Sequence, residues 1–131
     1  MTYAISTTVE NSFDATVDAV RAALAEQGFG ILTEFDLAAT LKKKLDVDVP
    51  RQVVLGACNP PLAHAALQVE DSIGLLLPCN VVVREDTSNR IVVEAIDPTV
   101  MVEVTTNDAL QAVADDAGSG LRTALSTLRS A

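Results

Sequence analysis

The sequence predicts a single α+β domain spanning all 131 residues, built as a two-layer sandwich of a sheet and helices. Strand-like and helix-like periodicities alternate along the chain, which indicates interleaved elements rather than separate helical and strand regions. The turn-forming stretch EDTSN at 85–89 lies between two apolar runs and predicts a hairpin, so the sheet contains at least one antiparallel pair. An apolar content of 49% is sufficient for one hydrophobic core.

The first strand and helix follow from alternation and capping signals. Apolar and polar residues alternate over 3–9, which is typical of a half-buried strand. Ser12 is predicted to cap a helix with an apolar stripe at helical spacing, and Gly28 to end it as the residue after the C-cap.

A second strand and helix repeat this pattern. Alternation over 29–35 predicts the strand, and Asp36 is positioned to cap the helix that follows. The charged stretch around Pro50 closes that helix, because proline prevents its continuation. The apolar stripe of this helix consists of Leu37, Leu41 and Leu45.

The third strand covers 53–58 and is almost wholly apolar, so we expect it to be buried on both faces. Asn59 is a suitable N-cap, and Pro60 fits the first helical position, where a missing N–H costs nothing. The resulting third helix is short and ends near Glu70.

The last third of the chain predicts a strand over 75–84 and its hairpin partner over 90–96. Residues 99–106 fit either a strand or a short helix. Asn107 is predicted to cap a final helix that runs to about Arg129. Two glycines inside this helix, Gly118 and Gly120, indicate close packing against another backbone.

Charge and hydropathy exclude two kinds of partner. Eighteen acidic and nine basic residues give a net charge of −9, which argues against nucleic-acid binding through phosphate contacts. No apolar run approaches the roughly 20 residues that cross a membrane. The N-terminal residues lack the features of a secretory signal, so we expect a cytoplasmic protein whose cysteines stay reduced.

Two segments carry a resemblance to a known family. The stretch ACNPPLAHAAL at 57–67, the stretch LLPCNVVVRED at 76–86 and the later Asp97-Pro98 resemble the bacterial and archaeal proteins called domain of unknown function 302. The resemblance implies a TATA-binding-protein-like α+β fold, with a mixed, mostly antiparallel sheet backed by helices, and a homodimer. It implies no established activity and supplies no agreed catalytic residues.

Cys58 and Cys79 are the first site candidates. Cys58 directly precedes a helix start, whose unsatisfied N–H groups and partial positive charge favour a thiolate that reacts or binds metal. The alternative for each cysteine is a small buried core residue. If strands 53–58 and 75–84 are neighbours, both thiols face one pocket. A permanent disulfide between them is disfavoured in the reducing cytoplasm, whereas a transient one is allowed.

The other candidates are His64, Asn59 and Asn80. His64 would complete a Cys, Cys, His site for zinc, copper or a haem iron, although a lone helical histidine is more often solvated or at an interface. Asn59 reads as a helix cap. Asn80 lies in an apolar strand, where its amide must be satisfied by the protein, a ligand or a dimer partner.

The leading hypothesis is a binding domain with thiol-based sensing, or with small-ligand or metal binding, in a pocket between the sheet and the helix over 59–70. The alternative is a structural or partner-docking homodimer module with inert core cysteines. A thiol-dependent enzyme comes third, with Cys58 as nucleophile and His64 as its basic partner. The sequence identifies no cofactor.

Overall fold

A computed structural model describes residues 2–88 and 90–128 of the chain. Within these residues the strands are β1 (Ala4–Val9), β2 (Gly30–Asp36), β3 (Gln52–Cys58), β4 (Cys79–Glu85) and β5 (Ile91–Ile96). The α-helices are α1 (Phe13–Glu26), α2 (Leu37–Leu45), α3 (Pro60–Val69), α4 (Thr99–Thr105) and α5 (Gln111–Leu128). Short 3₁₀ helices at Ile73–Leu76 and Asp108–Leu110 precede β4 and α5.

The five strands form one sheet in the order β1-β5-β4-β3-β2. Each of the four pairings in the described part of the chain is antiparallel, so the predicted α+β architecture is confirmed and the sheet contains no parallel pair there. The hairpin between β4 and β5 is also confirmed, although Asn89 in its turn lies outside the described residues. Strands β1 and β2, separated by one helix, lie at opposite edges of the sheet.

The main core lies between one face of the sheet and helices α1 and α5. Inward-pointing strand residues such as Leu55, Val81 and Val93 are fully buried against Val20 of α1 and Leu121 of α5. A smaller apolar cluster joins α3, α4 and the start of α5. Its buried members are Ala66, Ile73, Met101, Leu110 and Ala114.

The opposite side of the sheet, which we call the open face, is not enclosed in this way. Its side chains alternate with those of the core, and none is fully buried. This corrects the expectation that β3 is buried on both faces, since Val54 is only half-buried there. The open face includes Val54, Asn80, Val82, Arg84 and Glu94.

The predicted capping residues are confirmed. The Ala15 N–H donates to Ser12 Oγ at 3.1 Å, and the Ala39 N–H donates to Asp36 Oδ1 at 2.8 Å. Gly28 follows the C-cap of α1 with φ of +83°. The Phe29 N–H donates back to the carbonyl of Leu24, which completes the helix end that a glycine at this position favours.

Strand β4 starts later than predicted. Residues 73–76 form a 3₁₀ helix, and Leu75 is 87% exposed. Pro78 cannot donate to a sheet ladder because it lacks an N–H, so regular pairing begins at Cys79. The apolar run over 75–78 therefore leads into the strand without belonging to it.

Of the two alternatives for residues 99–106, a strand or a short helix, the structure has the helix, α4, with Thr106 as its C-cap. Asp97 Oδ1 accepts hydrogen bonds from the N–H and the hydroxyl of Thr99, which stabilises the first turn. Asn107 caps the 3₁₀ helix before α5, so α5 itself begins at Gln111. The predicted end near Arg129 lies outside the described residues.

The two glycines of α5 pack closely, but the nearest atoms belong to side chains and not to a backbone. A Cβ at Gly120 would lie 3.0 Å from the Phe29 ring, and one at Gly118 would lie 2.9 Å from the Arg122 guanidinium. Within the described residues, no helix is both long enough and apolar enough to cross a membrane.

Candidate functional site: a hollow lined by both cysteines

The two cysteines lie near each other at the junction of β3, β4 and α3. Strands β3 and β4 are neighbours, as the shared-pocket hypothesis required, and Ala57 pairs directly with Cys79. Cys58 is the last residue of β3, one position further on. Both thiols are free. Cys58 is half-buried, whereas Cys79 is only 8% exposed.

Both cysteines line one hollow between the sheet and α3. Its volume is about 20 Å³, which accommodates roughly one water-sized group. The walls come from β3, β4 and three helices, and they are almost entirely apolar. The lining residues are Phe29, Ala57, Cys58, Asn59, Leu62, Ala63, Ala66, Leu77, Cys79, Met101, Val113 and Ala117.

A larger cavity of about 250 Å³ also borders Cys79. It is formed by the segment that enters β4 and by the segment from the end of β5 into α4. Cys79, Leu77 and Met101 line both cavities. Cys79 therefore borders both the small hollow shared with Cys58 and a larger cavity.

Burial, and to a smaller extent the nearby Cys58 thiol, raise the pKa of the Cys79 thiol to about 11. The low-polarity surroundings disfavour the thiolate, and a second thiolate beside it would add repulsion. Cys79 is therefore a neutral thiol at physiological pH, and Cys58 is the more accessible of the two sulfurs.

The start of α3 lacks the free hydrogen-bond donors on which the Cys58 thiolate hypothesis partly depended. Pro60 and Pro61 have no N–H, and the Leu62 N–H donates to Asn59 Oδ1 at 3.3 Å. The Ala63 N–H donates to the Asn59 carbonyl at 2.9 Å. Of the first three helical positions, two thus have no N–H and the third is already hydrogen-bonded, so the helix macrodipole is the main feature left to favour a thiolate.

Asn59 is confirmed as the cap of α3, and it also lines the hollow. Its amide lies beside Gly28, where an added Cβ would be 3.2 Å from Asn59 Nδ2. Asn80 differs from the expectation of an enclosed amide. It is exposed on the open face, because the sheet is enclosed on the other face only.

His64 is exposed on α3 and does not line the hollow. The residues of α3 that do so are Leu62, Ala63 and Ala66, which lie on another side of the helix. Over residues 2–88 and 90–128, no group of three or more His, Cys, Asp or Glu side chains is arranged to hold a metal ion. The Cys, Cys, His arrangement is therefore absent there.

Gly56 in β3, beside the residues that line the hollow, is a position whose role the sequence reasoning missed. A Cβ at this position would overlap the Thr33 hydroxyl and lie 2.6 Å from Pro78 Cγ. The missing side chain lets Thr33 and Pro78 close over β3 next to the cysteines. The available signal was a glycine inside an otherwise apolar strand, which often marks such a close approach.

Comparison with known proteins agrees with this architecture. The family model described as "Domain of unknown function DUF302" matches residues 5–128. A crystal structure of an uncharacterised conserved DUF302 protein from Bacillus stearothermophilus superposes with a TM-score of 0.92 at 26% sequence identity, covering 98% of this chain and 100% of that one. No curated protein matches the chain. Since the family model covers nearly the whole chain, this protein belongs to the family of domain of unknown function DUF302.

Proposed function

We propose that this chain is a small cytoplasmic binding domain whose two cysteines form an oxidant-responsive thiol pair. The observation that carries the proposal is that Cys58 and Cys79 line one hollow, with only Cys58 half-exposed. In this arrangement Cys58 meets a reagent first, and the buried Cys79 is the second thiol.

The chemistry would proceed in two steps with a hydroperoxide as the oxidant. The Cys58 thiolate attacks the outer peroxide oxygen, so that an S–O bond forms, the O–O bond breaks and an alcohol leaves with the proton that Cys58 released. The Cys79 sulfur then attacks the Cys58 sulfenic sulfur, which forms a disulfide and releases water. Two thiols are oxidised and one hydroperoxide is reduced.

The environment of Cys79 determines the rate of the second step. Because burial raises the pKa of Cys79 to about 11, its thiolate is scarce at neutral pH. The second step therefore requires loss of a proton from a buried thiol, and we expect it to be slow and to accelerate as pH rises. A slow second step suits a sensor that responds to sustained exposure better than it suits a rapid peroxidase.

Small-ligand binding is a second candidate, favoured by the cavity of about 250 Å³ that Cys79 helps to line. Apart from Asn80 and Asp97 its lining is apolar, so a small apolar molecule would fit its chemistry. Such a ligand would contact Cys79 directly. An enzyme that uses His64 as the base for Cys58 has no support here, because His64 does not line the hollow.

Differential alkylation tests the thiol proposal. Native wild-type protein, Cys58→Ser and Cys79→Ser are treated with iodoacetamide at pH 7 and analysed by peptide mass spectrometry. We expect Cys58 to be labelled in the folded protein and Cys79 only after unfolding. Treatment with a hydroperoxide should give an intramolecular disulfide in the wild type and in neither variant.

Resistance of both native thiols to alkylation and oxidation would contradict the proposal. In that case the cysteines are inert core residues, and the protein is better described as a structural or partner-docking module. A separate group of exposed apolar side chains supports that role and does not involve the cysteines.

A further inference from the structure

Exposed apolar side chains concentrate in one stretch of the chain. We call residues 32–49 the α2 flank; it comprises most of β2, all of α2 and the segment that follows. Ten large hydrophobic residues are exposed among those the structure describes, and half of them fall within these eighteen positions. They are Leu32, Phe35, Leu45, Val47 and Val49.

Helix α2 has an apolar stripe with little to cover it. Leu37 and Leu41 are half-buried, Leu45 is 66% exposed, and no residue of the helix is buried. A helix of nine residues lies below the roughly 12–15 residues at which isolated helices become even marginally stable in water. Most helical stability in proteins comes from packing of the apolar face, so this stripe needs a surface to pack against.

We propose that the α2 flank is the interface through which two copies of this chain form a dimer. This inference deepens the docking alternative given above and does not depend on thiol chemistry. The flank itself is nearly neutral, because three lysines oppose Glu34, Asp36, Asp46 and Asp48, which leaves −1. The remaining residues carry −8 of the total charge of −9, so a contact through the nearly neutral flank brings little of that like charge together.

The distribution of charge within the flank is suited to a two-fold contact. Lys42 pairs with Asp46 at 2.8 Å and with Asp48 at 3.4 Å. Lys43 and Lys44 have no carboxylate within ion-pair distance among the described residues. A two-fold interface pairs one patch with itself, so Lys43 and Lys44 of one copy can face the exposed carboxylates of Asp46 and Asp48 on the other.

The flank adjoins further apolar surface on the sheet. A standard interface uses roughly 20–30 residues on each side, so the eighteen residues of the flank need the adjoining sheet surface to reach that size. Phe35 pairs with Val54 on the open face, which extends the same apolar surface into the sheet. A second copy therefore finds an apolar centre with a mixed-charge rim, as specific interfaces usually have.

Sedimentation velocity over a range of protein concentrations tests the proposal. We expect a reversible dimer for the wild type at about 10–100 µM and at least about a tenfold weaker dimer for Leu45→Glu, because a charge would be buried at the contact. Val104→Glu is the matched control, since Val104 on α4 is 63% exposed but lies outside the flank. The double variant Lys43→Glu, Lys44→Glu should weaken the dimer less, and added salt should reduce that difference.

Circular dichroism establishes that each variant keeps the fold. A wild-type monomer throughout the concentration range would overturn the proposal, as would a dimer that Val104→Glu dissociates and Leu45→Glu does not. Cys58→Ser should leave dimerisation unchanged. A failure of this inference is thereby separated from a failure of the thiol proposal, which alkylation tests.

Discussion

Helices α5 and α2 have the same kind of amphipathic pattern, but their apolar stripes differ in burial. The stripe of α5, which includes Leu121 and Leu125, is buried against the sheet and α1. The stripe of α2 is at most half-buried. The comparison shows that periodicity predicts a helix and its apolar side, while topology decides whether this chain itself covers that side. Helix α5 stabilises the monomer, and α2 is expected to gain its stability from assembly.

The sharpest test of this contrast is to truncate one leucine from each helix. Leu121→Ala should lower the free energy of unfolding by about 2–5 kcal/mol, because Leu121 is fully buried and its loss leaves a cavity. Leu45→Ala should cost less than about 0.5 kcal/mol in dilute solution, where the monomer prevails. Urea denaturation at low protein concentration measures both. Equal costs would remove the distinction between the two helices.

Because Cys79 is buried, we also predict that the folded protein loses stability at alkaline pH. The pKa of Cys79 is about 11 in the folded protein because of burial and the neighbouring Cys58, against an ordinary value of 9.0. The stabilisation is fully present below pH 9 and is lost as pH rises toward 11, because the unfolded chain ionises first. The wild type should lose up to about 3 kcal/mol over this range relative to Cys79→Ala. Parallel pH profiles of the two proteins would contradict the burial of this thiol.

A substitution at Gly56 tests the close packing of Thr33 and Pro78 against β3. Gly56→Ala should destabilise the fold by about 1–3 kcal/mol, because the new methyl would overlap Thr33 and Pro78. Gly30→Ala in β2 is the matched control, since no atom lies within 4 Å of the Cβ it would add. Thermal denaturation compares the two. A cost at Gly30 as large as that at Gly56 would show that strand propensity, not this contact, is responsible.

Removal of the N-cap side chains of α3 and α2 should have a smaller effect, and it should differ between these two helices. Asn59→Ala and Asp36→Ala each remove a side-chain acceptor from a helix start, typically at a cost of about 1 kcal/mol. For α3 we expect this cost in global unfolding. For α2 we expect it in local opening, because α2 contributes no buried residue to the core. Hydrogen exchange resolved to residues 37–45 distinguishes local from global opening.

Much of the architecture was readable from local chemistry. Ser12, Asp36 and Asn59 mark helix starts because their side chains accept backbone N–H bonds, and Gly28 marks a helix end because it adopts a positive φ. The start of β4 was misplaced because an apolar run does not distinguish a strand from a short helix. The hairpin established the antiparallel direction of only one pair; the other pairings depend on long-range contacts.

The candidate site was less accessible to sequence reasoning. The juxtaposition of Cys58 and Cys79 required β3 and β4 to be neighbours, which no local pattern specifies. The weakness of the helix-start argument was visible in the sequence, since Pro60 and Pro61 have no N–H to offer a thiolate. The exposure of Asn80 and His64 depends on which sides of the sheet and of α3 are covered, and only the tertiary structure determines that.

The most direct test of the account is amide hydrogen exchange of α2 and α5 at two protein concentrations well below and well above the dimer dissociation constant. We predict that protection of residues 37–45 rises with concentration, while protection of the buried turns of α5 stays the same. Protection of α2 that is already strong in the monomer, or that does not change with concentration, would contradict the claim that a second copy covers this helix.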